Sequence, residues 1–197
     1  MAFLAGLVDT TAVPLLRGDR VFLRTPQMAD QASWSALRGK SREFLEPWEP
    51  LWAHDELTRL AFRQRVKRAW RDIEEDTAYP FLIFTDRGSA LCGGLTLSNV
   101  RRGVAQTATL GYWVGAPFSR KGYMRDAVNT VLHFVFGQLG LHRVEAACLP
   151  HNEASVRLLR SSGFTQEGHA RGYLKINGEW QDHLLFAILA EDRQDPR

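Results

Sequence analysis

The 197-residue chain is 45% apolar and 24% charged, with 25 Lys and Arg against 22 Asp and Glu for a net charge of +3. That is the balance of an ordinary globular protein, long enough to bury a core without metal or disulfide staples, and too mildly and evenly basic to be a nucleic-acid binder. No apolar run approaches the ~18 residues of a membrane span, and the apolar start Met1–Val8 has no basic leader and meets Asp9 at once, so neither secretion nor membrane insertion is expected and the chain is placed in the cytoplasm.

Cys92 and Cys148 sit in apolar, strand-like surroundings with no His or second Cys at zinc-ligand spacing. Buried reduced thiols are expected, with no metal. No repeat or Pro/Gly/Ser-rich linker divides the chain. One domain over residues 15–190 is therefore expected, with loose ends at 1–14 and 191–197.

In chain order, Val21–Thr25 predicts a strand stopped by Pro26, and Asp30–Leu37 a helix with Trp34 and Leu37 on one side. His54–Glu75 predicts a long amphipathic helix with Leu57, Leu60, Ala61, Trp70 and Ile73 inward; its many cations read as a solvated face. Tyr79–Thr85 and Leu91–Leu97 predict a hairpin around Asp86-Arg87-Gly88, and Thr107–Val114 a further strand ended by Gly115-Ala-Pro117. Tyr123–Leu139 predicts a helix with Val128, Leu132, Val135 and Leu139 in period, stopped by Gly140. Arg143–Leu149 predicts a strand, and Asn152–Ser162 a helix capped by Asn152 and ended at Gly163. Tyr173–Ile176 and Trp180–Leu189 flank Asn177-Gly178, a type I′ hairpin signal. The fold class is mixed α/β: about seven strands flanked by about four helices.

The informative junction is strand Thr107–Val114, loop Gly115–Gly122 and the helix from Tyr123. A helix N-terminus offers unpaired N–H groups and the positive end of its dipole to an anion. Arg120, Lys121 and Arg125 add charge there, and Gly122 permits close backbone approach. The alternative is an exposed basic loop in which Gly122 is punctuation. Neither a dinucleotide GxGxxG nor a P-loop occurs in the chain.

Three segments carry a resemblance: Tyr112-Trp-Val-Gly-Ala-Pro-Phe-Ser-Arg-Lys-Gly-Tyr-Met124, His142-Arg-Val-Glu-Ala-Ala-Cys-Leu-Pro-His-Asn-Glu-Ala-Ser155 and Leu158-Leu-Arg-Ser-Ser-Gly-Phe164. In this order they resemble the core of the GNAT N-acetyltransferases. More narrowly they resemble the RimJ/RimL branch, which acetylates N-termini of ribosomal proteins, and Phe44-Leu-Glu-Pro-Trp-Glu-Pro50 and Tyr173-Leu-Lys-Ile-Asn-Gly-Glu-Trp-Gln-Asp-His183 are similar to its RimJ members in particular. The family's pyrophosphate loop, Q/R-x-x-G-x-G/A, falls on Ser119-Arg-Lys-Gly-Tyr-Met124; the central glycine is kept, the first and last positions differ.

The resemblance implies a sheet splayed between its fourth and fifth strands, with the pantetheine arm of acetyl-coenzyme A entering the gap as an added pseudo-strand. It assigns acetyl-CoA binding to Tyr112, Trp113, Val114, Arg120, Lys121, Gly122, Tyr123, Met124, Asn152 and Ser155. It implies direct attack of an amine on the thioester, with Glu145 as general base and Ser155 serving the leaving thiolate. Glu179 and Asp182 are further base candidates by position, and Cys148 is rejected as an acyl-carrying nucleophile for want of a basic partner. Pro150 is expected to help end strand pairing, and Phe44–Pro50 with Trp52 to wall the acceptor side. The acceptor implied is a protein N-terminal amine, ribosomal in the first place; a small amine such as an aminoglycoside, polyamine or amino acid, or a non-catalytic acyl-CoA-binding role, are the alternatives. A monomer or homodimer is expected.

Overall fold

A computed structural model describes residues 15–86 and 89–193; Met1–Pro14, the Arg87-Gly88 half of the expected turn and the last four residues of the tail lie outside them. Its strands are β1 (Leu16–Arg17), β2 (Val21–Arg24), β3 (Tyr79–Thr85), β4 (Leu91–Arg101), β5 (Thr107–Val114), β6 (Arg143–Cys148), β7 (Thr165–Ile176) and β8 (Glu179–Leu189). They form one sheet ordered β1-β2-β3-β4-β5-β6-β8-β7. Every neighbouring pair is antiparallel except β5 and β6, which run parallel. The helices are α1 (Gln31–Lys40), α2 (Arg42–Leu45), α3 (Arg59–Glu74), α4 (Tyr123–His133) and α5 (Glu153–Ser161). β1 raises the strand count to eight, so the fourth and fifth strands of the sequence reading are β5 and β6.

A helical layer covers each face. On one face, Val128, Val131 and Leu132 of α4 and Leu159 of α5 pack on Leu110, Val144, Ala146, Phe186 and Ile188. On the other, Trp34 and Leu37 of α1 and Phe62 and Val66 of α3 pack on Leu82, Phe84 and Leu91. Burial of each large apolar side chain contributes about 1.5–3 kcal/mol. At one end of this stack Asp76 accepts from the guanidinium of Arg102 at 2.8 Å and from the Tyr79 hydroxyl at 2.7 Å. Burial and the Asp76 charge push the Tyr79 hydroxyl up to about 12.

The structure corrects three element assignments. α3 begins at Arg59, where Thr58 accepts from the Ala61 N–H at 3.2 Å, and residues 54–57 are turns. Its buried side chains are Phe62, Val66, Ala69 and Ile73, whereas Leu60 is 53% and Trp70 37% exposed. The spacing i, i+4, i+7, i+11 defines that face; of the expected set Ile73 lies on it, Leu57 precedes the helix, and Leu60 and Trp70 turn away. The helix expected over Tyr123–Leu139 is α-helical to His133 and continues as a π-turn, Phe134–Gln138, which lets Val135 and Leu139 stay buried. β7 starts at Thr165, not Tyr173, because register shifts after Gln166 and Ala170 break its alternation.

Candidate active site

β5 and β6 pair over only four positions, Thr107↔Arg143 to Leu110↔Ala146. Beyond them Gly111–Val114 remain bonded to β4, and Ala147 and Cys148 to β8. The two strands therefore part, leaving facing edges whose N–H and C=O groups have no strand partner. Such an edge accepts an extended ligand by strand addition. The β6 edge ends in Leu149-Pro150, where proline has no N–H to offer, and the Asn152 N–H turns back to Leu149 O at 3.0 Å.

Side chains alternate across the opening. Tyr112 points to the α5 face, where its hydroxyl lies 2.6 Å from Ser155 Oγ. Burial pushes the Tyr112 phenol well above its usual range, with the Ser155 hydrogen bond opposing, so it remains protonated and can donate. Asn152 caps α5 by accepting from the Ser155 N–H at 3.0 Å, which holds Ser155 in the first helical turn. Trp113 points to the opposite face, over Gly94, where a Cβ would stand 2.4 Å from its indole nitrogen. The expected residues Tyr112, Trp113, Val114, Asn152 and Ser155 thus all meet at one end of the sheet.

The phosphate end is built from the loop after β5. Ala116 N–H donates to Ser41 Oγ at 2.9 Å, pinning the loop to the α1–α2 junction. Gly122, at φ 81°, stands as the residue before α4 in a left-handed conformation that glycine adopts without strain. The first N–H groups of α4 follow, and Arg120, Lys121 and Arg125 are exposed around them. Met124 is 9% exposed and its side chain belongs to the core, so only its backbone is on offer. The Tyr123 ring packs edge-on against Phe118 at 6.2 Å. Asp126, acidic in this first turn, is engaged elsewhere: its carboxylate accepts the N–H groups of Asp19, Arg20 and Val21. That turn delivers a cation missed in the sequence. Arg20 stacks 5.1 Å over Tyr123 and brings Nη1 to 2.8 Å from where a Gly122 Cβ would stand. No local spacing signals a residue a hundred positions away. A free sheet edge, a helix mouth and four cations fit the amides and phosphates of a coenzyme A.

Glu145 lies on the closed part of the sheet, one residue before its last paired position, between Thr109 and Ala187. Its carboxylate accepts from Arg143 Nε at 3.0 Å and lies 3.9 Å from Arg101. Arg143 also donates to Glu167, which holds its own proton affinity well above the usual range and depresses that of Glu167. Asp182 accepts the Gly172 N–H at 2.8 Å, within the irregular part of β7. Glu179 instead lines a cavity of about 250 Å³ together with Pro47, Leu149, His151, Asn177 and Gln181. Trp48 packs on His151 at 5.5 Å at its side. The Phe44–Pro50 segment and the β7–β8 hairpin, flagged separately in the sequence, are brought together here: Asn177 N–H donates to Glu49 O at 2.9 Å.

Both cysteines are free and buried. Burial pushes the Cys92 thiol up to about 12 and raises that of Cys148, with a Ser155 hydrogen bond partly opposing. Neither is poised as a thiolate. Among the described residues no cluster of His, Cys, Asp and Glu could hold a metal ion, and no helix is long and apolar enough to cross a membrane.

Residues 20–165 match the model of the acetyltransferase (GNAT) domain. The chain is a GNAT acetyltransferase. It is 36% identical over 178 residues to the probable N-acetyltransferase YjcK of Bacillus subtilis, covering 90% of this chain and 98% of that one. It is 30% identical over 177 residues to the [ribosomal protein uS5]-alanine N-acetyltransferase of Escherichia coli, covering 90% and 91%. Mycobacterium smegmatis RimJ, solved in complex with CoA-disulfide, superposes with a TM-score of 0.86 at 33% identity over 93% of this chain and 89% of that one. As in that family, this GNAT chain is an acetyl-CoA-dependent N-acetyltransferase of the RimJ/RimL type.

Proposed function

We propose that this GNAT enzyme, working in the cytoplasm as one catalytic domain over residues 15–190, acetylates the N-terminal α-amine of a protein, a ribosomal protein in the first place. The supporting observation is the extent of the likeness to the uS5-alanine enzyme. At 90% of this chain it is not confined to the cofactor half. The cavity walled by Pro47, His151, Asn177, Glu179 and Gln181 adjoins the end of β6 at Leu149 and so receives the amine beside the thioester. Exposed apolar side chains on the two segments that wall it, Leu51 at 71% and Trp180 at 68%, offer contact to the chain that follows the amine.

In this reading the strand edge Tyr112–Val114 holds the pantetheine, and the α4 mouth with Arg20, Arg120 and Lys121 holds the phosphates. An α-ammonium has its pKa near about 8 and no lone pair until it loses a proton. Glu179, which faces the cavity, takes that proton directly or through water; Glu145 is the second candidate, although an incoming amine would compete there with Arg143 and Arg101. The neutral amine adds to the thioester carbonyl, and a backbone N–H of the β5 edge stabilises the developing oxyanion. As the adduct collapses the C–S bond breaks, the nitrogen loses its second proton to solvent, and the sulfur leaves as a thiolate that accepts a hydrogen bond from Ser155, whose hydroxyl lies 2.6 Å from that of Tyr112.

The test is a panel of peptides beginning with Ala or Ser, assayed with labelled acetyl-CoA beside aminoglycosides, polyamines and amino acids. Acetylation of peptides at the α-amine supports the proposal. Turnover confined to the small amines would transfer the enzyme to small-molecule chemistry.

A further inference from the structure

The wall of the acceptor cavity is anchored by a buried ion pair that the transfer chemistry does not use. Residues 49–58 form no helix or strand, so their position is set by individual contacts. Arg38, near the end of α1, is 6% exposed and donates two parallel hydrogen bonds to Glu49, at 2.7 and 2.8 Å. The same carboxylate accepts the Trp52 indole N–H at 2.8 Å. The guanidinium lies over two rings, 4.1 Å from the centre of Trp52 and 4.9 Å from that of Trp113, a residue of β5. Glu49 is held from both ends, because its backbone carbonyl accepts the Asn177 N–H at the tip of the β7–β8 hairpin.

A buried ion pair contributes little net stability compared with apolar residues of the same size, since both charges must be desolvated. What a fork-to-carboxylate pair supplies is one fixed orientation. Here it fixes the span between the Pro47–Trp52 segment and the hairpin that carries Glu179 and Gln181. We propose that Arg38 and Glu49 are positioning residues for acceptor recognition, clamping the two walls of the amine cavity at the spacing the acceptor requires. The proposal rests on the assignment of that cavity to the acceptor.

The experiment compares wild type with Arg38→Met, Arg38→Lys and the double variant Arg38→Met/Glu49→Met, which removes both charges together. Four quantities are read: Tm, acetyl-CoA affinity by calorimetry, hydrogen exchange of the peptide containing Asn177, and the KM for whichever amine the wild type acetylates. The double variant is expected to recover most of the Tm lost in Arg38→Met and to bind acetyl-CoA within about twofold of wild type, yet to exchange faster at Asn177 and to raise the acceptor KM about tenfold or more. Arg38→Lys, which keeps the charge and loses the fork, is expected to show the same split to a smaller degree; it carries the test if the double variant does not fold. Wild-type exchange at Asn177 and wild-type acceptor KM in a stable double variant overturn the clamp. So does an equal loss of acceptor and acetyl-CoA affinity, the mark of a general packing role. If wild type acetylates no amine offered, the acceptor assignment fails, and the exchange measurement still decides whether the ion pair joins the two walls.

Discussion

Tyr112 and Ser155 come from elements 43 positions apart, and their hydroxyls meet at 2.6 Å beside the parted strand edge. Burial keeps the phenol protonated, so either hydroxyl of the pair can donate to the other, and in the proposed reaction Ser155 is the one placed to donate a hydrogen bond to the departing thiolate. Losing one such charge-assisted hydrogen bond in a dry site costs about 1.5–3 kcal/mol, and each 1.36 kcal/mol is a factor of about ten in rate. Ser155→Ala is therefore expected to lower kcat by about tenfold to a hundredfold with the acetyl-CoA KM nearly unchanged, and Tyr112→Phe by a smaller factor. A matching rise in acetyl-CoA KM in Ser155→Ala would show a binding role instead. The base is tested by its pH signature. A carboxylate that takes the ammonium proton matters below the amine pKa of about 8 and loses importance above it. Glu179→Gln is expected to depress kcat/KM strongly near pH 7 and to recover toward pH 9, whereas Glu145→Gln changes it little at either. The reverse pattern would return the role to Glu145.

Among the elements, the part of the fold that shapes the cofactor edge was legible because local signals agreed there. Thr107–Val114 appears as a strand with the expected bounds, Gly122 precedes α4 with positive φ, and Asn152 caps α5. These depend on residues within a few positions of one another. α3 was legible as a helix, but its inward face was only partly assigned: Ile73 is on it, and the i, i+4, i+7, i+11 spacing of Phe62, Val66, Ala69 and Ile73 marks it better than Leu60 and Trp70 do. The consequence is measurable. Phe62→Ala removes a fully buried ring and is expected to cost about 3–5 kcal/mol, while Leu60→Ser on the exposed side stays within about 0.5 kcal/mol. Equal losses in urea unfolding would place Leu60 against a surface that it does not touch here. The site features that the sequence did not yield are those joined through space: Arg20 against Gly122, the Arg38–Glu49 pair, and Glu49 O against Asn177 N. Each joins segments without a shared periodicity, and only the finished sheet brings them together.

At the scale of the whole molecule, the strands β1–β5 and the group β6, β8, β7 pair only through the four-residue junction between β5 and β6. A ligand that fills the opening adds hydrogen bonds to both edges and is bonded at its far end by the α4 mouth, so it binds the folded chain and not the unfolded one. A concentration a hundredfold above Kd then adds about 2.7 kcal/mol. For a chain of this size each kcal/mol is worth about 2–4 °C, so coenzyme A is expected to raise Tm by about 5–10 °C. Gly122→Trp places a bulky ring at the helix mouth in a backbone conformation that side chains rarely adopt. It is expected to lower the ligand-free Tm modestly and to abolish most of the coenzyme A increment, whereas adenine nucleotides lacking the pantetheine arm should stabilise wild type much less. A full increment in Gly122→Trp would mean that the phosphates do not reach α4, and with that the parted sheet would lose its role as the cosubstrate's seat.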